Sequence, residues 1–177
     1  VNQVGGQDEL VFDGGSFAVD AKGHVCVMSE RFEEALATVV VDPATEGRLA
    51  QGTVAPSLAD LDAVWQALVL GLRDYIDKNG FPGVVLGLSG GIDSAVTLAV
   101  AADALGPDRV EAVMMPFRYT ASMSVEDAEA QAQALGVRFS NISIEPLYES
   151  FMVALSDEFD GLAPNITEEN LQARCRG

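Results

Sequence analysis

From residue 57 onward, short strand-like segments alternate with longer segments whose apolar residues recur at helical spacing. The first helix is predicted to open at Ser57-Leu58-Ala59-Asp60, which has the form of a capping box, and to stop at Asn79-Gly80. Strands are predicted at 84–88, 109–115 and 137–144, and further helices at 92–105, 124–135, 147–159 and from Thr167. This alternation implies βαβ crossovers, so the sequence predicts an α/β fold with a parallel sheet covered by helices on both faces.

The first 41 residues have a different pattern, with short apolar runs broken by Gly and Asp-Gly that predict hairpin-type strands. Residues 42–56 are rich in Pro, Gly, Thr and Ala without periodicity and are predicted to be a linker between domains. We therefore expect a β-rich piece at 1–41 and an α/β domain at 57–177. Because the chain starts at Val1 in what reads as mid-strand, we expect an internal fragment of a longer protein.

Charge and cysteine content narrow the partners and the compartment. The chain has 27 acidic and 10 basic residues and a formal net charge of −17, which argues against nucleic-acid or anionic-membrane partners. No segment reaches the ~18 apolar residues of a membrane span. Cys26 and Cys175 belong to no metal or redox spacing, so a reducing cytoplasm is expected.

The phosphate loop, our name for residues 87–94, lies between a wholly apolar predicted strand and a predicted helix. Gly90 and Gly91 allow a tight turn and let backbone N–H groups approach an anion, and the start of the helix adds the positive end of its dipole. Ser89 and Ser94 add hydroxyl donors. Asp93 would repel an anion, and a Mg²⁺ ion that bridges carboxylate and phosphates resolves this conflict.

Two familiar phosphate-binding motifs do not fit this loop. A Walker A loop needs a lysine, and none follows Lys78; a dinucleotide fingerprint needs Gly-x-Gly-x-x-Gly, which Gly90-Gly91-Ile92-Asp93 does not supply. A glycine turn without a ligand is the structural alternative. Ser-Gly-Gly-x-Asp-Ser between a strand and a helix is much more specific than a bare Gly-Gly turn, so we favour a phosphate site.

The segment Leu88-Ser89-Gly90-Gly91-Ile92-Asp93-Ser94 resembles the signature of the PP-loop ATP pyrophosphatases, which have a Rossmann-like fold. Members of that class convert a carboxylate or carbonyl oxygen to its adenylate, release pyrophosphate, and let a nitrogen or sulfur nucleophile displace AMP. The resemblance implies that the loop binds ATP through Gly87, Leu88, Ser89, Gly90, Gly91, Ile92, Asp93 and Ser94. It also implies that Asp93 holds the Mg²⁺ ion.

Three later segments resemble the synthetase domain of the glutamine-dependent NAD synthetases, in the same order and spacing. They are Val113-Met114-Met115-Pro116-Phe117-Arg118-Tyr119-Thr120, Ser124-Val125-Glu126-Asp127-Ala128, and Thr167-Glu168-Glu169-Asn170-Leu171-Gln172-Ala173-Arg174-Cys175-Arg176-Gly177. The resemblance implies that Asn170 contacts deamido-NAD, while Arg118 is either an ATP-side residue or a solvated loop cation. Phe117 departs from the pattern, which has a small or polar residue there.

The first residues, Val1 to Gly14, resemble the late strands of the nitrilase-type glutaminase domain that precedes the synthetase in this family. None of that domain's catalytic Glu-Lys-Cys triad is present, and Cys26 is interpreted as an ordinary buried cysteine. The resemblance implies a ligase that amidates deamido-NAD with ATP and with nitrogen from glutamine or ammonia, acting as a homo-oligomer. The alternatives are another PP-loop amidotransferase such as a GMP synthetase, and a non-catalytic nucleotide-binding module.

Overall fold

The computed structural model describes residues 1–42, 44, 48–161 and 166–177. By its internal contacts the chain divides into two compact units, Val1–Pro82 and Gly83–Gly177.

The first unit consists of antiparallel strand pairs and one long helix. The strands are β1 (Val4–Gln7), β2 (Leu10–Asp13), β3 (Phe17–Val19), β4 (Val25–Met28), β5 (Val41–Asp42) and β6 (Arg48–Leu49), paired β1-β2, β3-β4 and β5-β6. Helix α1 (Asp60–Lys78) packs against β1 and β2. A Cβ on Gly6 would lie only 3.0 Å from the Cα of Gly71, so glycine permits this close approach of strand and helix.

A polar cluster of Gly6, Asp74 and Lys78, which we call the Gly6 clasp, fixes β1 to α1. The Asp74 carboxylate accepts a 2.8 Å hydrogen bond from the Gly6 N–H, and Lys78 Nζ donates a 2.5 Å bond to the Gly6 carbonyl. Lys78 Nζ also lies 3.1 Å from the Asp74 carboxylate. Burial raises the pKa of Asp74, but the hydrogen bonds from Gly6 and Lys78 outweigh it, and the net pKa is below the usual value.

The second unit is a three-stranded parallel sheet with helices packed against it. Its elements are β7 (Val84–Gly87), α2 (Ile92–Leu105), a 3₁₀ turn (Pro107–Arg109), β8 (Val110–Met114), α3 (Ser122–Leu135), β9 (Arg138–Asn141), α4 (Glu145–Ala154), α5 (Ser156–Phe159) and α6 (Ile166–Arg174). The strand order is β7-β8-β9, with Val84 opposite Val110 and Met114 opposite Asn141. Helices α2 and α3 pack against the sheet and each other, which confirms the predicted α/β fold with a parallel sheet.

The core of this unit lies between the sheet and the helices and contains both large and small aliphatic side chains. Its members are at most 2% exposed and include Leu88, Leu98, Ala112, Ala132 and Ile144. Small residues on both sides let the helices lie close to the strands. The far side of β7 is open, since Val85 is 70% exposed.

Several element ends differ from those predicted. The predicted capping box at Ser57 is wrong, because α1 begins at Asp60 with Ala59 as its N-cap and without a side-chain cap. Helix α3 begins at Ser122, two residues before the predicted start at Ser124. The predicted helix over 147–159 begins at Glu145 and is interrupted at Leu155, which separates α4 from α5.

The division into domains stays a prediction. Residues 43 and 45–47 of the predicted linker lie outside the described residues. Of residues 37–41, the last of the predicted β-rich piece, only Val41 is in a strand. The contact-based boundary after Pro82 differs from the predicted boundary at 42–56, because α1 packs on the first two strands. Among the described residues, no helix is both long and apolar enough to cross a membrane.

Candidate functional site

The phosphate loop joins the carboxyl end of β7 to the first turn of α2. Leu88, just past the strand, is 2% exposed and donates its N–H to the Val113 carbonyl at 2.9 Å, which fixes the start of the loop in the core. Gly91 is the extended N-cap of α2. Ligands of open α/β sheets bind beyond the carboxyl ends of the strands, and the loop occupies this position.

A closed set of hydrogen bonds shapes the loop. Ser94 Oγ donates to the Gly91 carbonyl at 2.9 Å and accepts from the Ser89 N–H at 3.2 Å. Ser89 Oγ accepts from the Gly91 N–H at 3.2 Å and lies 3.0 Å from Ser94 Oγ. Since Ser94 gives its proton to Gly91, Ser89 is the donor between the two hydroxyls. The two serines therefore hold the loop in shape before any ligand arrives.

The first turn of α2 leaves backbone donors available. Within the part of the chain that the structure describes, the N–H groups of Ile92, Asp93 and Ser94 have no acceptor. These groups belong to the turn in which a helix has no internal acceptors, and they lie at the positive end of its dipole. A loop shaped by its own hydroxyls and followed by free N–H groups is suited to an anion such as a phosphate.

Gly90 and Gly91 have different structural roles. Gly90 has φ +78°, and a Cβ there would lie 2.2 Å from the carbonyl oxygen of Ser124 and 2.8 Å from its carbonyl carbon. Gly91 has φ −93°, and the nearest atom to its Cβ position would be Ser89 Oγ at 3.3 Å. Gly90 is thus required for contact between the loop and the first turn of α3, whereas Gly91 is not sterically confined.

Asp93 is exposed at the start of α2, and its carboxylate has no hydrogen bond or ion pair in the described part of the chain. Among those residues no cluster of three or more His, Cys, Asp or Glu could hold a metal by itself. A Mg²⁺ ion in phosphate chemistry needs only one or two carboxylates, because phosphates and water supply its remaining ligands. One free carboxylate beside a phosphate cradle fits that donor set.

A cleft of about 280 Å³ opens beside the phosphate loop. Its walls are the ends of β7 and β8 together with Met115, Thr120 and Arg176. Arg176 follows α6 and donates from Nε to the Met115 carbonyl at 3.3 Å. Sequence reasoning did not assign Met115, Thr120 or Arg176 to the site, although all three lie in the segments that carry the family resemblance. The sequence feature that could have indicated these residues was their position after a predicted strand or at the end of a predicted helix.

The structure does not join Arg118 to the phosphate loop. Its guanidinium pairs with Glu145 at 2.8 Å and Glu149 at 3.2 Å, both on α4, and lies 5.2 Å from the centre of the Phe117 ring. Both ion pairs are made by the same terminal nitrogen, Nη2. Its ATP-side role stays a prediction.

The sequence analysis also singled out Asn170 and Cys26. Asn170 is exposed on α6, and no hydrogen bond in the described part of the chain links it to the phosphate loop. Its contact with deamido-NAD therefore stays a prediction. Cys26, in the first unit, is 4% exposed in β4, with its thiol 3.6 Å from the His24 carbonyl.

Comparison with known proteins identifies the family to which this site belongs. Residues 64–177 match the family model described as NAD synthase. The chain belongs to the NAD synthase family. The NAD synthase match begins inside α1, so it includes most of a helix that packs in the first unit.

Individual relatives agree with the NAD synthase assignment. A glutamine-dependent NAD(+) synthetase of Acinetobacter baylyi is 49% identical over 177 residues, all of this chain but 32% of that protein. The structure of a glutamine-dependent NAD+ synthetase from Acinetobacter baumannii, in complex with adenosine diphosphate, has a TM-score of 0.92 at 48% identity and covers 98% of this chain and 33% of that one. An NMN synthetase from Francisella tularensis is 30% identical with a TM-score of 0.58, over 68% of this chain and 48% of its own. The chain thus spans about a third of the length of the curated relatives it matches.

Proposed function

We propose that the protein containing this chain amidates deamido-NAD to NAD with ATP, and releases AMP and pyrophosphate. The carboxylate of deamido-NAD attacks the α-phosphorus of ATP and pyrophosphate leaves. Ammonia then attacks the adenylated carboxyl carbon, AMP leaves with the bonding electron pair, and the nitrogen loses a proton. The observation that carries the proposal is the phosphate loop, with its free N–H groups, in a chain that matches the NAD synthase model.

The phosphate loop is proposed to hold the β- and γ-phosphates, which become the leaving group. Backbone N–H groups of Ile92, Asp93 and Ser94 are fixed donors that need no rearrangement as charge develops on pyrophosphate. The adjoining cleft, lined by Met115 and Thr120, is proposed to receive the nucleoside part of ATP. Asn170 keeps its predicted contact with deamido-NAD as part of this proposal.

Asp93 is proposed to hold Mg²⁺. When bound, the ion neutralises phosphate charge and makes pyrophosphate a better leaving group. The Asp93 carboxylate lies at the first turn of α2, next to the same N–H groups, so one helix end presents both an anion site and a metal ligand.

The nitrogen source and the assembly are proposed from the relatives. The glutamine-dependent name of the 49% identical relative supports glutamine as the donor, with ammonia as the species that reacts. This chain carries none of the predicted glutaminase triad, so glutamine hydrolysis is assigned to other residues of the protein. Homo-oligomer formation and a cytoplasmic location stay predictions.

The test uses the full-length protein with ATP, Mg²⁺, deamido-NAD and either glutamine or ammonium. NAD, AMP and pyrophosphate should appear in equal amounts. Formation of ADP and inorganic phosphate instead would contradict cleavage between the α- and β-phosphates. Absence of NAD with all substrates present would contradict the proposed amidation of deamido-NAD.

The likeness to an NMN synthetase makes the mononucleotide a necessary comparison. The same assay with nicotinate mononucleotide in place of deamido-NAD measures the preference directly. We expect a higher kcat/KM for deamido-NAD, because relatives that match the whole chain at 49% identity are NAD(+) synthetases. A preference for the mononucleotide would change the substrate but keep the ATP chemistry.

A further inference from the structure

The loop at residues 116–121 connects β8 to α3 and places Thr120 at the wall of the cleft. The same loop contains Phe117. A large aromatic ring is unfavourable in a loop where it is exposed to water. In this chain the ring is 7% exposed, which makes it part of the core.

Phe117 is buried against aromatic neighbours. Its ring centre lies 4.9 Å from that of Tyr148 on α4, at an interplanar angle of 66°, and 5.7 Å from that of Tyr119, at 67°. Both are edge-to-face arrangements, the favoured geometry for aromatic pairs. The Phe117 side chain thereby fixes the loop to α4.

Arg118 fixes the same loop to the same helix. Glu145 and Glu149, one turn apart on α4, hold its guanidinium at 2.8 and 3.2 Å. The Pro116 carbonyl adds a backbone contact, accepting a 3.2 Å hydrogen bond from the Ile144 N–H. We call Phe117, Arg118, Glu145, Tyr148 and Glu149 the loop anchor.

The loop anchor is connected to the cleft through Thr120. The Phe117 N–H donates to Thr120 Oγ1 at 2.9 Å, and the Thr120 N–H donates to the Phe117 carbonyl at 2.7 Å. Two hydrogen bonds between the same two residues fix Thr120 relative to Phe117. Wherever the Phe117 ring is held, Thr120 is held too.

We propose that Phe117 is a positioning residue for ATP, and that Arg118 acts with it as part of the loop anchor rather than as a ligand of the phosphates. This inference rests on the proposed ATP-dependent function. A loop that is ordered before binding does not lose that conformational freedom when the nucleotide enters. Loss of the anchor should therefore raise the KM for ATP and leave kcat nearly unchanged, the pattern of lost uniform binding.

The variants are made in the full-length protein. Phe117→Ala and Tyr148→Ala should each raise the KM for ATP roughly tenfold, and the double variant should be far from additive because both remove the same contact. Phe117→Leu should restore part of the loss. Phe151→Ala is the matched control, since it removes an exposed ring from the same helix outside the anchor.

The double variant Glu145→Gln with Glu149→Gln decides the role of Arg118. As an anchor, Arg118 loses its partners, and the KM for ATP rises as it does in Arg118→Ala. If Arg118 were instead a phosphate ligand that the glutamates restrain, the double variant would release its guanidinium, and the KM for ATP would fall. A fall would overturn the assignment of Arg118.

Trypsin cleavage after Arg118 gives a measurement that does not depend on activity. The anchored loop should resist cleavage in the unliganded protein, and Tyr148→Ala should speed cleavage at least severalfold while other sites keep their rates. Unchanged cleavage together with an unchanged KM for ATP would refute the positioning role. A wild-type protein that makes no NAD would instead contradict the proposed function, and the cleavage result would still test the anchor.

Discussion

Gly90 and Gly91 provide the sharpest test of the loop's geometry, because they are adjacent and chemically identical but sit in different environments. Alanine at Gly90 must adopt φ +78° and place its Cβ 2.2 Å from the Ser124 carbonyl oxygen. Alanine at Gly91 keeps an ordinary extended conformation, and its nearest neighbour, Ser89 Oγ at 3.3 Å, is a side-chain atom that can rotate away.

The magnitudes follow from these two environments. A left-handed conformation costs an alanine about 1–2 kcal/mol, and overpacking against backbone adds about 1–3 kcal/mol. Alanine also lowers the conformational entropy of the unfolded chain, which stabilises the folded protein by about 0.4–1 kcal/mol. We expect Gly90→Ala to destabilise the second unit by about 2–4 kcal/mol. Gly91→Ala loses a favoured N-cap and should cost about 1 kcal/mol or less.

Hydrogen exchange in the full-length protein measures this difference locally. Peptides from α2 and the first turn of α3 should exchange about 30 to 1000 times faster in Gly90→Ala, since each 1.4 kcal/mol of opening free energy is about tenfold. Peptides from α1 are the internal control and should keep their rates. Equal exchange in Gly90→Ala and Gly91→Ala would refute the argument, because it would mean that the close contact with Ser124 does not constrain the loop.

Three other changes test separate parts of the chain. Asp93→Asn should lower kcat for NAD formation by about 100-fold or more through loss of metal-assisted charge stabilisation. The control variant Asp108→Asn, at the opposite end of the sheet, should keep its kcat. Near-normal turnover by Asp93→Asn would exclude the metal role. Ser94→Ala breaks the loop's hydrogen-bond set and should weaken calorimetric binding of an ATP analogue about tenfold, and undiminished binding would show that the set is dispensable. Asp74→Ala should lower the free energy of unfolding by about 1–3 kcal/mol at pH 7. The folded pKa of Asp74 is below its unfolded value, so this contribution is present above about pH 4 and is lost as the pH falls through the folded pKa. Urea unfolding measures the free energy of unfolding of wild type and variant at pH 7 and at pH 3. The difference between the two proteins should be smaller at pH 3.

The fold around the phosphate loop could be read from local sequence. Helix α2 has the bounds predicted for it, because glycine precedes its first residue and Gly106-Pro107 follows its last. The strand before it was predicted within one residue, since a wholly apolar run has few alternatives once it lies between a helix and a glycine turn. Glycine and proline at the element ends, together with hydrophobic periodicity, were sufficient to predict these bounds.

Boundaries without such punctuation were predicted poorly. No glycine or proline marks the interruption at Leu155, so α4 and α5 were taken as one helix. The serines at 57 and 124 are good N-cap residues by type, but the helices begin elsewhere, with Ala59 and Ala121 as caps. Capping preference is a weak signal when packing of the helix decides where it starts.

The site was predictable to the extent that its chemistry is local. The loop's donors and Asp93 lie within eight consecutive residues, so sequence order alone brings them together. The contacts that shape the surroundings join distant positions. Phe117 meets Tyr148 and Gly90 meets Ser124, and neither pair could be inferred without the three-dimensional fold.

These long-range contacts converge on the segment from Met115 to Ser124. Arg176 binds the carbonyl at its first residue, the Phe117 ring is buried against α4, and Gly90 lies against its last residue. The segment is thus held at its start, middle and end by three different elements, and it forms the link between the phosphate loop and the cleft. Under the proposed binding of ATP to the phosphate loop and the cleft, a change at any of the three points would displace the segment that borders both. Effects of variants at two of these points on ATP affinity should therefore be coupled, although the residues are far apart in sequence.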